Sequence, residues 1–211
     1  MARAFRIPIL ITYILLNLSW HTTVASAQAD ASPPSASPSA DSSLFFVLLT
    51  EEQVPYGMVI IEDGERSLDD VASGFDDMVA TIDQFTEWGW QGNVVRAFHV
   101  PSGTEVDPTA IDGIYLSVHE FGSPKFAAEA LNYTLDAHAA AATLEEIRFE
   151  ELGDYSRGLY GEMPYGNEVT LYVQHGNYLI RLSASSPEGD PRAEAVAIMQ
   201  TVLDSQADHD H

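Results

Sequence analysis

Cysteine is absent from this 211-residue chain. Its absence excludes disulfides, thiol nucleophiles, Cys-ligated zinc and an anchor built on a lipid-modified cysteine. Basic side chains are scarce: nine Lys and Arg stand against 32 Asp and Glu, the formal net charge is -23, and Lys125 is the only lysine. A surface of that sign repels nucleic acid and anionic membranes, because phosphate binding needs clustered cations. Nucleic acid is therefore not an expected partner, and the charge itself reads as an aid to solubility. The chemical motifs with fixed spacing are missing too. There is no phosphate-binding Gly-rich loop and no dinucleotide fingerprint. Phe121-Gly-Ser-Pro-Lys125 is a helix start rather than a nucleophile elbow. His119-Glu120 lacks the second histidine of a zinc-protease helix, and Asp69-Asp70 and Asp76-Asp77 lack the spacing and central Gly of a calcium loop. No cofactor is expected.

Long apolar runs are also rare. Ile7 to Trp20 is the longest, short of the roughly 20 residues a membrane span needs. Arg3 and Arg6 precede it, and Ala25-Ser26-Ala27 comes after it as a small-residue cleavage site, with Ala27-Gln28-Ala29 as a second choice. These are the parts of a secretory signal, so residues 1–27 are expected to direct export and the protein to be secreted or extracytoplasmic. A membrane is a partner only if the segment stays uncleaved as an anchor. Gln28 to Ser43 is Ala, Ser, Pro and Asp without any aromatic or large aliphatic residue, which predicts a disordered linker.

The rest of the chain can form a core, since 45% of all its residues are hydrophobic. Residues 44–205 are expected to make one α+β domain, with 206–211 as an acidic, His-containing tail. Leu44 to Leu49 is either a buried strand or a short helix. Met58 to Ile61 reads as a strand. Ser67 with Asp70 forms a capping-box start to a helix running to Gly89. Asn93–Val100 and Gly113–Phe121 are strands, and Ser123-Pro124 opens an Ala-rich helix by a cap followed by Pro at its first position. Glu146–Leu152 and Gly158–Met163 read as a hairpin turned at Gly153-Asp154. Glu168–Gln174 and Tyr178–Ala184 alternate apolar and polar residues around His175-Gly-Asn177. Asp190-Pro191 opens the last helix, with Ala195, Ile198, Met199, Val202 and Leu203 on one stripe. Strand, strand, capped helix occurs twice, and Ala128-Glu-Ala-Leu131 resembles Ala193-Glu-Ala-Val196, which suggests a duplicated ββα unit. The expected architecture is a twisted antiparallel sheet with helices packed on one face.

Several stretches carry a family likeness: Leu48-Leu-Thr50, Val54-Pro-Tyr-Gly57, Trp88-Gly-Trp90, Phe121-Gly-Ser-Pro124 and Gly176-Asn-Tyr-Leu-Ile-Arg181. Together they resemble uncharacterised exported bacterial α+β domains and, at greater distance, the extracellular sensor domains of receptor kinases and the PsbP-type fold. The resemblance covers Leu44 to Ser205. It implies the sheet and its helices, but no reaction, because none of these motifs is catalytic.

If helices cover one face, the other is open for binding. Setting Val100 opposite Gly113 places Arg96, Phe98, Tyr115, Ser117 and His119 on that open face. The second hairpin adds Thr170, Tyr172, Gln174, Arg181 and Ser183. Arg96, Phe98, Tyr115, Tyr172 and Arg181 are the candidate ligand-binding residues, since two arginines in so acidic a protein can receive a carboxylate. Trp88 and Trp90 either anchor a ligand or pack the helix end. His209 and His211 have the chemistry of a divalent-metal site but stand in the tail. The favoured function is a non-catalytic binding or sensing module for an unidentified small molecule or protein. The alternative is a secreted hydrolase or metal-dependent enzyme assembled from His99, His119, Glu120 and Asp112, against which the assumed register sets His99 and His119 on opposite faces.

Overall fold

The computed structural model describes residues 44–141 and 144–207. The expected signal, the linker and the two tail histidines lie outside them. The described chain is an α+β fold: one antiparallel sheet of seven strands and four helices. The strands are β1 (Val59–Glu65), β2 (Gly92–His99), β3 (Gly113–Glu120), β4 (Glu145–Ile147), β5 (Tyr155–Met163), β6 (Gly166–His175) and β7 (Tyr178–Ser186). The helices are α1 (Leu68–Ala72), α2 (Met78–Glu87), α3 (Pro124–Ala141) and α4 (Arg192–Ala207). The sheet runs β1-β2-β3-β7-β6-β5-β4, so β3 and β7 meet at its centre although 57 residues separate them in the chain. Among the described residues no helix is long and apolar enough to cross a membrane.

Local chemistry places the ends of these elements. The Ser67 hydroxyl accepts from the Asp70 amide, and the Asp70 carboxylate accepts from the Ser67 amide, closing the expected capping box. The helix expected from Ser67 to Gly89 is nevertheless two helices. Gly74 and the two aspartates after it favour a turn, and Asp77 caps a fresh start by accepting from the Ala80 amide at 3.0 Å. Met78 and Val79, in the first turn of the second helix, are exposed. Leu44 to Leu49 is not a strand: Phe45–Val47 is a single 3-10 turn that buries Leu44, Val47, Leu48 and Leu49. The last helix extends past Ser205, and Gln206 is buried, so the domain reaches Ala207.

The placing of helices on one face is corrected. Val169, Leu171 and Val173 of β6 and Ile180, Leu182 and Ala184 of β7 pack with α4 and the 44–58 segment. Tyr172 and Leu179, which alternate with them, pack with Phe85 and Trp88 near α2 and with Ala127, Leu131 and Leu135 of α3. Alternate residues of one strand point to opposite faces, so the two clusters are the two sides of the sheet and both are covered. The expected repeat gains no support from this arrangement. A twofold rotation about the β3–β7 seam would set α3 and α4 on the same face, and they take opposite ones.

The second correction concerns register. His99, not Val100, stands opposite Gly113, with Val94 opposite Val118 and Arg96 opposite Leu116. A one-residue slip turns every side chain of a strand to the other face. Val94, Arg96 and Phe98 thus face α4, and Asn93, Val95, Ala97 and His99 share the α3 side with Tyr115.

Candidate functional site

Three of the five candidate residues come together. Tyr115 on β3, Arg181 on β7 and Tyr172 on β6 are neighbours on the α3 face, where Tyr172 lies opposite Arg181 in the ladder. The Arg181 guanidinium carbon is 5.3 Å from the centre of the Tyr115 ring and 5.9 Å from that of Tyr172, within cation–π range of both. Its Nη2 makes one long hydrogen bond, 3.5 Å to the Ser183 hydroxyl, and its Nε is buried without an acceptor. Among the described residues Arg181 has no ion pair. Burial works against its charge, but Tyr172, Tyr115, Glu168 and Tyr165 together outweigh that and hold the pKa above its ordinary value. Arg181 is a charged donor with unused capacity.

The neighbours are polar and ordered. Arg66, just past β1, sits 5.6 Å from the Tyr115 ring centre, donates to the Tyr115 hydroxyl at 2.8 Å and pairs with Glu62 at 2.5 Å. His138 of α3 is 2.7 Å from the Tyr172 hydroxyl. Burial and the Arg181 charge push the His138 pKa down to about 3, and burial, with Arg181 and Arg66, does the same to His119. Both rings are neutral at pH 7. The Trp90 indole donates to Nδ1 of His119, which leaves the proton on Nε2, facing the Ser117 hydroxyl at 3.3 Å. Thr170 and Tyr172 form a floor shut off from solvent, while Tyr115, Arg181, Ser183, Glu168 and Tyr165 are half-buried around it.

Arg96 and Phe98 do not belong to this site. Arg96 grips Asp63 through two bonds of 3.0 and 3.1 Å and donates to the Leu49 carbonyl at 2.8 Å, tying the 44–58 segment to the sheet on the α4 side. Phe98 is 1% exposed in the α4-side core. Trp88 packs against Phe85, Phe121 and Tyr133 at the end of α2, and Trp90 lies half-buried against the same cluster. The alternative enzyme site does not assemble. His99 and His119 share a face, contrary to expectation, but His119 lies opposite Asn93, six residues or roughly 20 Å along β2 from His99. Glu120 points to the other face, and Asp112 accepts from the Ser185 hydroxyl at 2.9 Å. Among the described residues no group of three His, Asp or Glu is placed to hold a metal.

The sequence patterns point to none of Arg66, His138, Glu168 and Tyr165, whereas Ser183 stands on the face they mark out. The available signal was the set of eight arginines, with the question of which lacked an acidic neighbour. Their convergence depends on the β3–β7 seam, which has no mark in the sequence. No known protein family and no curated protein matches this chain.

Proposed function

We propose that this is an exported, non-catalytic binding domain that receives the carboxylate of a small ligand at Arg181, between Tyr115 and Tyr172. The observation that carries the reading is the half-used guanidinium. In a protein of net charge -23, Arg181 is enclosed by phenol rings, has no carboxylate paired with it among the described residues, and keeps a buried Nε without an acceptor. The Arg181 Nε has no acceptor, and an incoming carboxylate offers the guanidinium charge-assisted hydrogen bonds worth roughly 1.5–3 kcal/mol each. The neutral hydroxyls nearby add donors without competing for the cation. Export rests on the signal-like residues 1–27, and the acidic surface argues against nucleic acid as a partner.

Thermal unfolding of the protein with acetate, succinate or benzoate, against chloride at equal ionic strength, tests the reading. A bound carboxylate at a hundred times its Kd adds about 2.7 kcal/mol to stability, a readable rise in Tm. The rise should vanish in Arg181→Met. Equal Tm values in every salt, or an equal rise in the variant, would refute the site.

A further inference from the structure

The Arg181 patch contains one carboxylate as well as one unpaired cation, and their linkage points to the class of ligand. Glu168 lies on β6, on the same face as Tyr172. Its Oε2 accepts from the Tyr165 hydroxyl and its Oε1 from the Thr170 hydroxyl at 3.2 Å. The Thr170 and Ser183 hydroxyls are 2.7 Å apart, and Arg181 Nη2 donates to Ser183 at 3.5 Å. All these bonds can run one way, with Arg181 donating to Ser183, Ser183 to Thr170 and Thr170 to Glu168. A guanidinium and a carboxylate are held apart by two hydroxyl oxygens. Among the described residues neither charge has an ion-pair partner.

We infer that the ligand is a zwitterion with an ammonium group beside its carboxylate, that is, a small α-amino acid. The inference rests on the carboxylate reading of Arg181 given above. In an α-amino acid the carboxylate oxygen and the amine nitrogen are roughly 3 Å apart, three covalent bonds from each other along O–C–Cα–N. That spacing is close to the one between the Ser183 and Thr170 hydroxyls. Such a molecule lying over the half-buried Ser183, above the sealed Thr170, meets Arg181 with its carboxylate and Glu168 with its ammonium, in the same polarity as the existing chain. A simple carboxylate satisfies Arg181 but brings a second negative charge towards Glu168, which repels it. A simple amine satisfies Glu168 but meets Arg181. Only the paired charges answer both ends, and the half-buried Tyr115 beside Arg181 leaves the ligand side chain an aromatic wall.

Calorimetric titration of the full chain with L-alanine, propionate and ethylamine separates these cases. Alanine should bind about tenfold to a hundredfold tighter than propionate, the worth of one charge-assisted bond, and ethylamine weakest of the three. In Glu168→Gln that advantage should disappear while propionate binds as well as before or better. Tyr165→Phe, which loosens Glu168 without removing its charge, should shrink the advantage and serves if the first variant does not fold. Propionate binding that depends on Arg181 but equals or exceeds alanine binding would overturn the zwitterion and leave the carboxylate site standing. An alanine advantage that survives Glu168→Gln would overturn it as well. If none of the three binds, the zwitterion and the carboxylate site both fall.

Discussion

Lowering the pH from about 7 to about 5 should cost the fold on the order of 4 kcal/mol through two histidines alone. His119 and His138 are held neutral in the native state with pKa values of about 3, against an ordinary 6.5. A histidine whose folded pKa is depressed takes up its proton only on unfolding. Its contribution is complete above the unfolded value and is lost as the pH falls from 6.5 towards 3. Each such histidine gives a slope of about 1.36 kcal/mol per pH unit, hence roughly 2 kcal/mol each by pH 5. Hydrogen bonds from Ser67, Thr109, Arg157 and Arg192 hold the carboxylates of Asp70, Asp107, Glu146 and Asp190 below their ordinary values, so their contributions are lost at more acidic pH than the histidines' first loss. Protonating other carboxylates also relieves self-repulsion in so acidic a protein, an effect of opposite sign. The quantity to read is therefore the difference between proteins. Urea unfolding, followed by the fluorescence of Trp88 and Trp90, would be run at several pH values between about 7.5 and 5 on the wild type and on His138→Gln. Lost packing offsets the variant's stability at every pH, but it does not alter the slope. The slope should fall by about 0.7 kcal/mol per pH unit at pH 6.5 and by about 1.4, one proton's worth, as the pH nears 5. An unchanged slope would mean that His138 is not desolvated against Arg181, and the electrostatic account of the site would fail.

Four substitutions probe the rest of the geometry. Arg181→Met should abolish carboxylate binding while shifting stability by no more than about 1 kcal/mol, because relief of desolvation and loss of the two cation–π contacts offset each other; urea titration checks it. Gly166→Ala should cost more than about 2 kcal/mol, since φ is 138° and a Cβ would collide with the Ser186 carbonyl oxygen; Tm and urea midpoint read this. Leu131→Ala, in the α3-side core at 0% exposure, should lose about 2–5 kcal/mol in the same assay. Ser67→Ala breaks the capping box and should lose about 1 kcal/mol with no change in ligand binding.

Local order was legible in the residues. The Ser67 cap, the Ser123-Pro124 helix start, the turn at Gly176 with φ 53° and the α4 stripe all arise from contacts within a few positions, and all stand as read. The register of β2 was not legible, and the reason lies in its composition. Val94 and Phe98 on one side and Val95 and Ala97 on the other are all buried, because helices or the 44–58 segment cover both faces. A strand apolar on both sides carries no alternation to say which side is which. That ambiguity is why the sequence pattern sets Arg96 and Phe98 on the open face, whereas the actual register turns both towards α4.

Tyr115, Tyr172 and Arg181 survived for a different reason. Apart from Leu179, their strands alternate between aliphatic residues towards α4 and polar or aromatic ones towards α3, so periodicity alone put them on one face. What periodicity determined, then, was the elements, their caps and the shared face of those three residues, since each depends on spacing along one strand or helix. The covering of that face by α3, the joining of β3 to β7 and the meeting of Arg181 with Glu168, His138 and Arg66 were decided by tertiary structure. Those contacts link residues tens of positions apart, where packing free energy selects the partner and no local pattern records the choice.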